Sequence, residues 1–247
     1  MPAVETVTLT GGTWLSADHG SALFDGKPGR ASRMRRTSSL AITITLAEAV
    51  VPEIIAVLGL NIPPGVQVSA AGASGTTVRL PDGSVCAWLF PKADALVSTV
   101  SVEIVTTATN VDVGEIAIFR AVEVGISDGW AVATIDTSVH TRTKGAQVNT
   151  VAGRLYRRLT CTLSGRATAA VRGGGLGGTD WETVAAAIAG RRRSCVVPQY
   201  RDMISKAFDP LLAARSALYG YSTQLPSAEN ISRQYFTGYM EFEEIPA

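Results

Sequence analysis

Histidine and cysteine are scarce in these 247 residues: there are two of the first and three of the second. Metal centres and nucleophilic triads draw on both, so the inventory for such chemistry is short. Neither His19 nor His140 has a second histidine or a cysteine at ligand spacing, and Cys86, Cys161 and Cys195 form no C-x-x-C pair. No metal or other cofactor is expected. The cysteines are odd in number and far apart, and two of them sit in apolar runs, which predicts buried, reduced thiols. Charge is also sparse, at 17% of residues with a formal net charge of +1. That excludes the basic footprint of a nucleic-acid-binding domain. No apolar run approaches the roughly 20 residues that span a bilayer. The opening MPAVETVTLT lacks a charged segment followed by an apolar one, which predicts a soluble, unexported chain.

What is present is apolar residues, 46% of the chain, enough for a substantial core. They recur mostly with the period of a strand. Residues 23–46 set the pattern. Asp25-Gly26 and Pro28-Gly29 are turn dipeptides, a basic link follows, and then Leu40, Ile42, Ile44 and Leu46 alternate with Ala41, Thr43 and Thr45. ETVTLT at residues 5–10 is a short alternating strand that stops at Gly11-Gly12 and suits a sheet edge. Residues 54–60 are continuously apolar, Pro52 argues against a helix running through them, and Asn61 and Pro63-Pro64-Gly65 bound them, which fits a fully buried strand. Val66, Val68 and Ala70 begin another strand, residues 99–106 a further one, and residues 113–119 the last of this half. Residues 77–80 and 86–90 read as peripheral strands or an insertion. Short strands separated by turn signals every 8 to 14 residues, without an amphipathic helix, predict a jelly-roll β-sandwich over residues 1–122.

A second unit is expected over residues 123–247. Residues 130–137 and 154–163 read as strands, with polar residues 141–148 between them. Arg157 falls on the apolar side of its strand unless a bulge intervenes. One helix is convincing, near residues 180–189. Thr179 or Asp180 supplies the N-cap and Glu182 the first-turn acid, Trp181, Val184, Ala185 and Ile188 share a face, and Gly190 ends it. Arg191 to Arg193 follow. Residues 195–197 read as a short strand. Beyond a loop around Pro210, residues 216–224 and 233–245 read as two long strands joined by the turn PSAEN, and strands of that length suit pairing across subunits.

Three motifs touch on chemistry. GISDG at residues 125–129 matches the G-x-S-x-G nucleophile elbow, but a strand follows where a helix is required, so Ser127 and Asp128 read as turn formers. GGGLGG at residues 173–178 satisfies G-x-G-x-x-G before a helix. Asp180 at the cap would repel a phosphate, and no alternating strand and helix pattern surrounds it, so it reads as a flexible glycine loop. Trp14, Trp88 and Trp130 suit either a core or stacking on sugar rings. No acid, base and nucleophile come together, and the chain is not expected to be an enzyme. The densest cluster is basic: Lys27, Arg30, Arg33, Arg35 and Arg36. It reads either as a solvated loop edge or as a contact surface for acidic residues of another copy, such as Glu241, Glu243 and Glu244.

The succession LFDGKPGRASRM, SLAITITL, IIAVLGLNIP and NVDVGEIAIFRAVEV resembles the galactose-binding-like jelly-roll of minor tail and baseplate proteins of long-tailed bacteriophages. IDTSVHTRTKGAQVN, GRLYRRLTCTL, the short helix, CVVPQYRD and the terminal FEEI resemble the second half of the same proteins. The resemblance implies a mainly β chain: a jelly-roll β-sandwich, then a tail-tube-like β-barrel or sandwich domain with one short helix. It differs from distal tail proteins in placing the jelly-roll first. It implies a virion structural protein of the tail tip, assembled in the host cytoplasm. Such a protein would form a homo-oligomeric ring, a hexamer or trimer, and contact other tail and baseplate proteins. A carbohydrate-binding module contacting host glycans is the alternative reading, and a hydrolase using Ser127 or His140 is a second.

Overall fold

A period of two marks residues 32–35 and 40–46, with an irregular stretch at 36–39 between them. Ser32, Met34, Leu40, Ile42, Ile44 and Leu46 are all buried on one side, and Arg33, Arg35, Thr43 and Thr45 face the other. This is one long strand in the computed structural model, which describes residues 2–92, 95–124, 126, 129–142, 144–146, 148–176, 178–190, 192–224, 227–232 and 235–246. The strand therefore begins eight residues before Leu40. Arg33, Arg35 and Arg36 lie on it, not in a loop, because Ser32 and Met34 supply inward positions in phase with the leucines and isoleucines.

The first half contributes β1 (Val4–Trp14), β2 (Ser32–Val50), β3 (Ile54–Leu60), β4 (Gln67–Ala70) and β5 (Ala73–Thr76). It continues with β6 (Val78–Arg79), β7 (Val85–Leu89), β8 (Val97–Val105), β9 (Asn110–Val113) and β10 (Glu115–Phe119). One antiparallel sheet runs β1-β2-β8-β4-β5, with β9 also on β2, and a second runs β10-β3-β7-β6. Ile42 and Ile44 from β2, Val102 and Ile104 from β8, and Ile55, Val57, Leu89 and Ile116 from the second sheet fill the space between. Each of these side chains contributes about 2 kcal/mol by leaving water.

The second sheet is buried on both faces. Ile54, Ala56, Leu58, Cys86, Trp88, Ala117 and Phe119 point away from the first core and pack against Ala214, Ala217 and Tyr219. Double burial is why residues 54–60 read as a continuous apolar run without alternation. The same holds for Val85–Leu89, so β7 is not peripheral: it lies between β3 and β6.

The remainder supplies β11 (Ala131–Asp136), β12 (Val139–Arg142), β13 (Val148–Val151), β14 (Leu155–Ala167), α1 (Thr168–Arg172) and α2 (Trp181–Ile188). After these come β15 (Ser194–Val196), α3 (Pro210–Ser216), β16 (Leu218–Ser222), β17 (Glu229–Ser232) and β18 (Tyr235–Glu244). A third sheet runs β11-β14-β18-β16-β15, with β17 on β18, and β12 and β13 form a separate pair. It is an open sheet; among the described residues no barrel closes. Helix α2 forms where its signals place it, with Asp180 Oδ1 accepting from the Thr183 N–H at 2.9 Å. Its Trp181, Val184, Ala185 and Ile188 cover Leu159, Cys161, Leu218, Met240 and Phe242. β18 has β14 on one side and, on the other, β16 along residues 242–244 and β17 along residues 235–237, so among the described residues it is an interior strand over those stretches. The segment after Ser227 is likewise not a plain turn, because Glu229 and Asn230 pair with Thr237 and Phe236.

Helix α3 departs from the expected loop around Pro210. Asp209 Oδ1 accepts from the N–H groups of Leu211 and Leu212 at 2.9 and 3.0 Å, and Pro210 occupies the first turn, where its missing N–H costs nothing. The helix delivers Ala213 and Ala214 to buried positions. Replacing Asp209 by alanine is expected to cost about 1 kcal/mol, read as a lower urea midpoint with an unchanged slope.

Candidate functional site

The basic stretch is spent largely within its own chain. Arg33 holds Asp112 through two bonds of 2.7 Å, Arg30 lies 3.4 Å from Asp25, and Arg36 donates to the carbonyls of Ala108 and Thr107 at 3.0 and 3.2 Å. The Lys27 side chain is exposed, and its backbone N–H reaches Asp25 at 2.8 Å. Arg35 is exposed on β2 between Thr13 and Asn110, and among the described residues its guanidinium has no partner.

The acidic end is engaged elsewhere, on β14. Consecutive residues of a strand face opposite sides, and Arg157 and Arg158 use both. Arg158 turns outward to pair with Glu243 and lies 3.4 Å from Glu241. Arg157 turns inward and pairs with Glu244, each side chain 7% exposed. No bulge rescues Arg157 from the apolar side; instead its charge is met. Its Nε donates to Glu244 at 2.9 Å, and its Nη1 and Nη2 donate to the carbonyls of Arg215 and Ala217 at the end of α3 at 3.2 and 2.7 Å. The pair locks the third sheet to the helix that packs on the second sheet. A cation at a helix C-terminus also complements the helix dipole.

A second buried charge sits where the halves meet. Glu115 on β10 is fully enclosed. Its Oε2 accepts from the Gly26 N–H at 2.7 Å, and its Oε1 faces the Tyr219 hydroxyl at 3.2 Å and Arg193 at 3.4 Å. Gly59, at φ +65°, and Gly114 let the Pro28 carbonyl press against the sheet, which brings Gly26 into reach; a Cβ at either would collide with that carbonyl. Burial pushes the Glu115 carboxyl up to about 7, against the opposing pull of Gly26, Arg193 and Tyr219.

The residues weighed for catalysis lie only partly within the described residues. Ser127 and Asp128 lie outside the described residues, as do Gly177 and Arg191. His140 is exposed on β12, its Nδ1 3.0 Å from the Thr150 hydroxyl, and His19 is exposed on a turn before the first 3-10 helix. The described residues of the glycine segment are hydrogen-bonded among themselves, to Thr179 and to α1. Gly175, Leu176 and Gly178 donate to Ala169, Thr179 and Gly174 at 2.8 to 3.0 Å, so those N–H groups are used internally. Beside it opens a cleft whose walls carry Glu53, Arg120, Glu123 and Arg166, charges of both signs.

All three cysteines are free, and burial pushes the thiols of Cys86, Cys161 and Cys195 up to about 12, 11 and 12, which favours the protonated form. Trp88 is buried in the shared core, while Trp14 and Trp130 are half-buried against the first and third sheets.

The polar stretch of residues 141–148 belongs to a hairpin. β12 and β13 pair Val139 with Val151 and Arg142 with Val148, extending the β11 and β14 ladder into a hairpin arm. Every described residue of both strands is exposed, with Val139, Val148 and Val151 at 56, 56 and 63%. The alternation of Val139, Thr141 and then Asn149, Val151 was the available signal. It is weak because the inward-facing partner layer that normally accompanies such a pattern is missing. No protein-family model matches the chain, and no curated protein is detectably similar to it.

Proposed function

We propose that this chain is a structural protein of a bacteriophage tail tip or baseplate, assembling into a ring and contacting other tail proteins. The observation that carries the reading is the hairpin arm. A two-stranded hairpin is marginal in water on its own, and three bare valines make it more so. Such an arm gains its order and its apolar burial by docking on another chain. The strand pairing supports the jelly-roll part of the reading: β2 runs beside β8 and β3 beside β7, so one pair of consecutive strands is wrapped by another. The buried Arg157–Glu244 pair suits a rigid structural part.

Electron microscopy of the purified protein, or of virions labelled with an antibody against it, is expected to show cyclic oligomers. A particle that stays monomeric at high concentration and is absent from virions would overturn the reading. Within the basic stretch the clean probe is Arg35, since Arg33 and Arg36 also serve the fold. Arg35→Glu is expected to impair ring formation while leaving the circular dichroism spectrum unchanged. Normal rings from that variant would remove the basic stretch as a contact.

A further inference from the structure

β1 is the outermost strand of the first sheet: β2 pairs with one of its edges, and among the described residues nothing pairs with the other. Proteins usually blunt such edges with charge, proline, bulges or brevity. The other ends of the first two sheets are short or covered. β5 has four residues and β6 two, and β10 is wholly buried. β1 has eleven residues, no proline, and a single charge, Glu5.

Its irregularities fall at the two ends. The register with β2 shifts between Val4 and Thr6 and again between Thr10 and Gly12, leaving Thr6–Thr10 as a regular run. That run reads Thr-Val-Thr-Leu-Thr. Thr6, Thr8 and Thr10 are exposed on the outer face of the sheet, and Val7 and Leu9 lean into the core but stay only partly buried. The core at this edge is unfinished, one strand short.

We propose that two copies of this chain pair antiparallel through Thr6–Thr10, about a two-fold axis at Thr8, joining their first sheets into one. The pattern is self-complementary in that register, which is what selects a second copy as the occupant. Thr8 meets Thr8, Thr6 meets Thr10, and Val7 of one copy meets Leu9 of the other, so polar side chains face polar and apolar face apolar across the seam. A contact of a patch with itself is isologous and closes as a dimer. It rests on the sheet edge alone and is independent of the tail-tip reading and of the hairpin arm.

Light scattering during gel filtration, over a micromolar to millimolar series, is expected to give an even multiple of the 25.9 kDa of one chain, two copies where no ring forms and paired rings where one does. Thr8→Lys sets two ammonium groups against each other on the axis. It is expected to weaken the dimer at least tenfold with an unchanged circular dichroism spectrum. Antiparallel partners have Cα atoms about 4.5 to 5.5 Å apart, within disulfide range. Thr8→Cys is therefore expected to form a cross-linked dimer on mild oxidation, and Thr99→Cys, exposed two strands away on the same face, is not. A wild-type monomer throughout, a dimer untouched by Thr8→Lys, or cross-linking at Thr99 but not Thr8 would overturn the proposal. The cross-link keeps it testable should the lysine variant fail to fold.

Discussion

Replacing Arg157 by alanine is expected to destabilise the protein by about 3 to 5 kcal/mol, because it leaves the Glu244 carboxylate buried without a counter-charge. Two further losses accompany it. The carbonyls of Arg215 and Ala217 lose their donors, and the Arg157 stem leaves space beside α3. For a chain of this size the midpoint of thermal unfolding should fall by roughly 10 °C, measured by calorimetry. Arg157→Lys should recover only part of it, since an ammonium cannot hold Glu244 and two carbonyls with the fixed fork of a guanidinium. Removing both charges, with Arg157→Leu and Glu244→Leu together, should cost less than Arg157→Ala alone. A loss under about 1 kcal/mol from the single substitution, the range of exposed ion pairs, would mean that water reaches the pair.

Glu115→Gln is expected to change how stability responds to pH. The folded carboxyl sits at about 7, against an ordinary value of 4.5, so the folded chain holds its proton more tightly than the unfolded one. The contribution from this group is therefore complete below 4.5 and is lost as pH rises from there through 7. The loss is at most about 3 kcal/mol, the free-energy equivalent of that shift. Asp25 adds to the upward push, while Arg193, Tyr219 and the Gly26 N–H favour the charged form. Glutamine carries no charge at any of these values and can still accept from Gly26. Urea denaturation at about pH 5 and about pH 8 should show the wild type losing more stability than the variant between the two. Equal losses would mean that Glu115 is charged in the fold at both.

Much of the scaffold was legible where a single local rule decided the outcome. Leu40 to Leu46 alternate and form a half-buried strand, and residues 54–60 do not alternate and form a doubly buried one. Asp180 caps the helix that Trp181, Val184, Ala185 and Ile188 define. Asp209-Pro210 carried a cap and a first-turn proline of the same kind, but a helix of seven residues gives too short an apolar period to separate from strand. The basic stretch was legible as composition only. That Arg33 is tied to Asp112 while Arg35 is not depends on β9, seventy-odd residues along the chain, lying beside β2.

Strand periods, the mainly β class and the scarcity of histidine and cysteine follow from residue type and spacing over a few positions. Only the tertiary structure decided which charges are buried, since Arg157 needs Glu244 across a sheet and Glu115 needs Gly26, Arg193 and Tyr219 from three separate segments. It alone decided which strands are edges. β18 looked available and is interior where β16 and β17 flank it, while β1 looked modest and stands open, because an edge is a property of neighbours and not of the strand that has or lacks them.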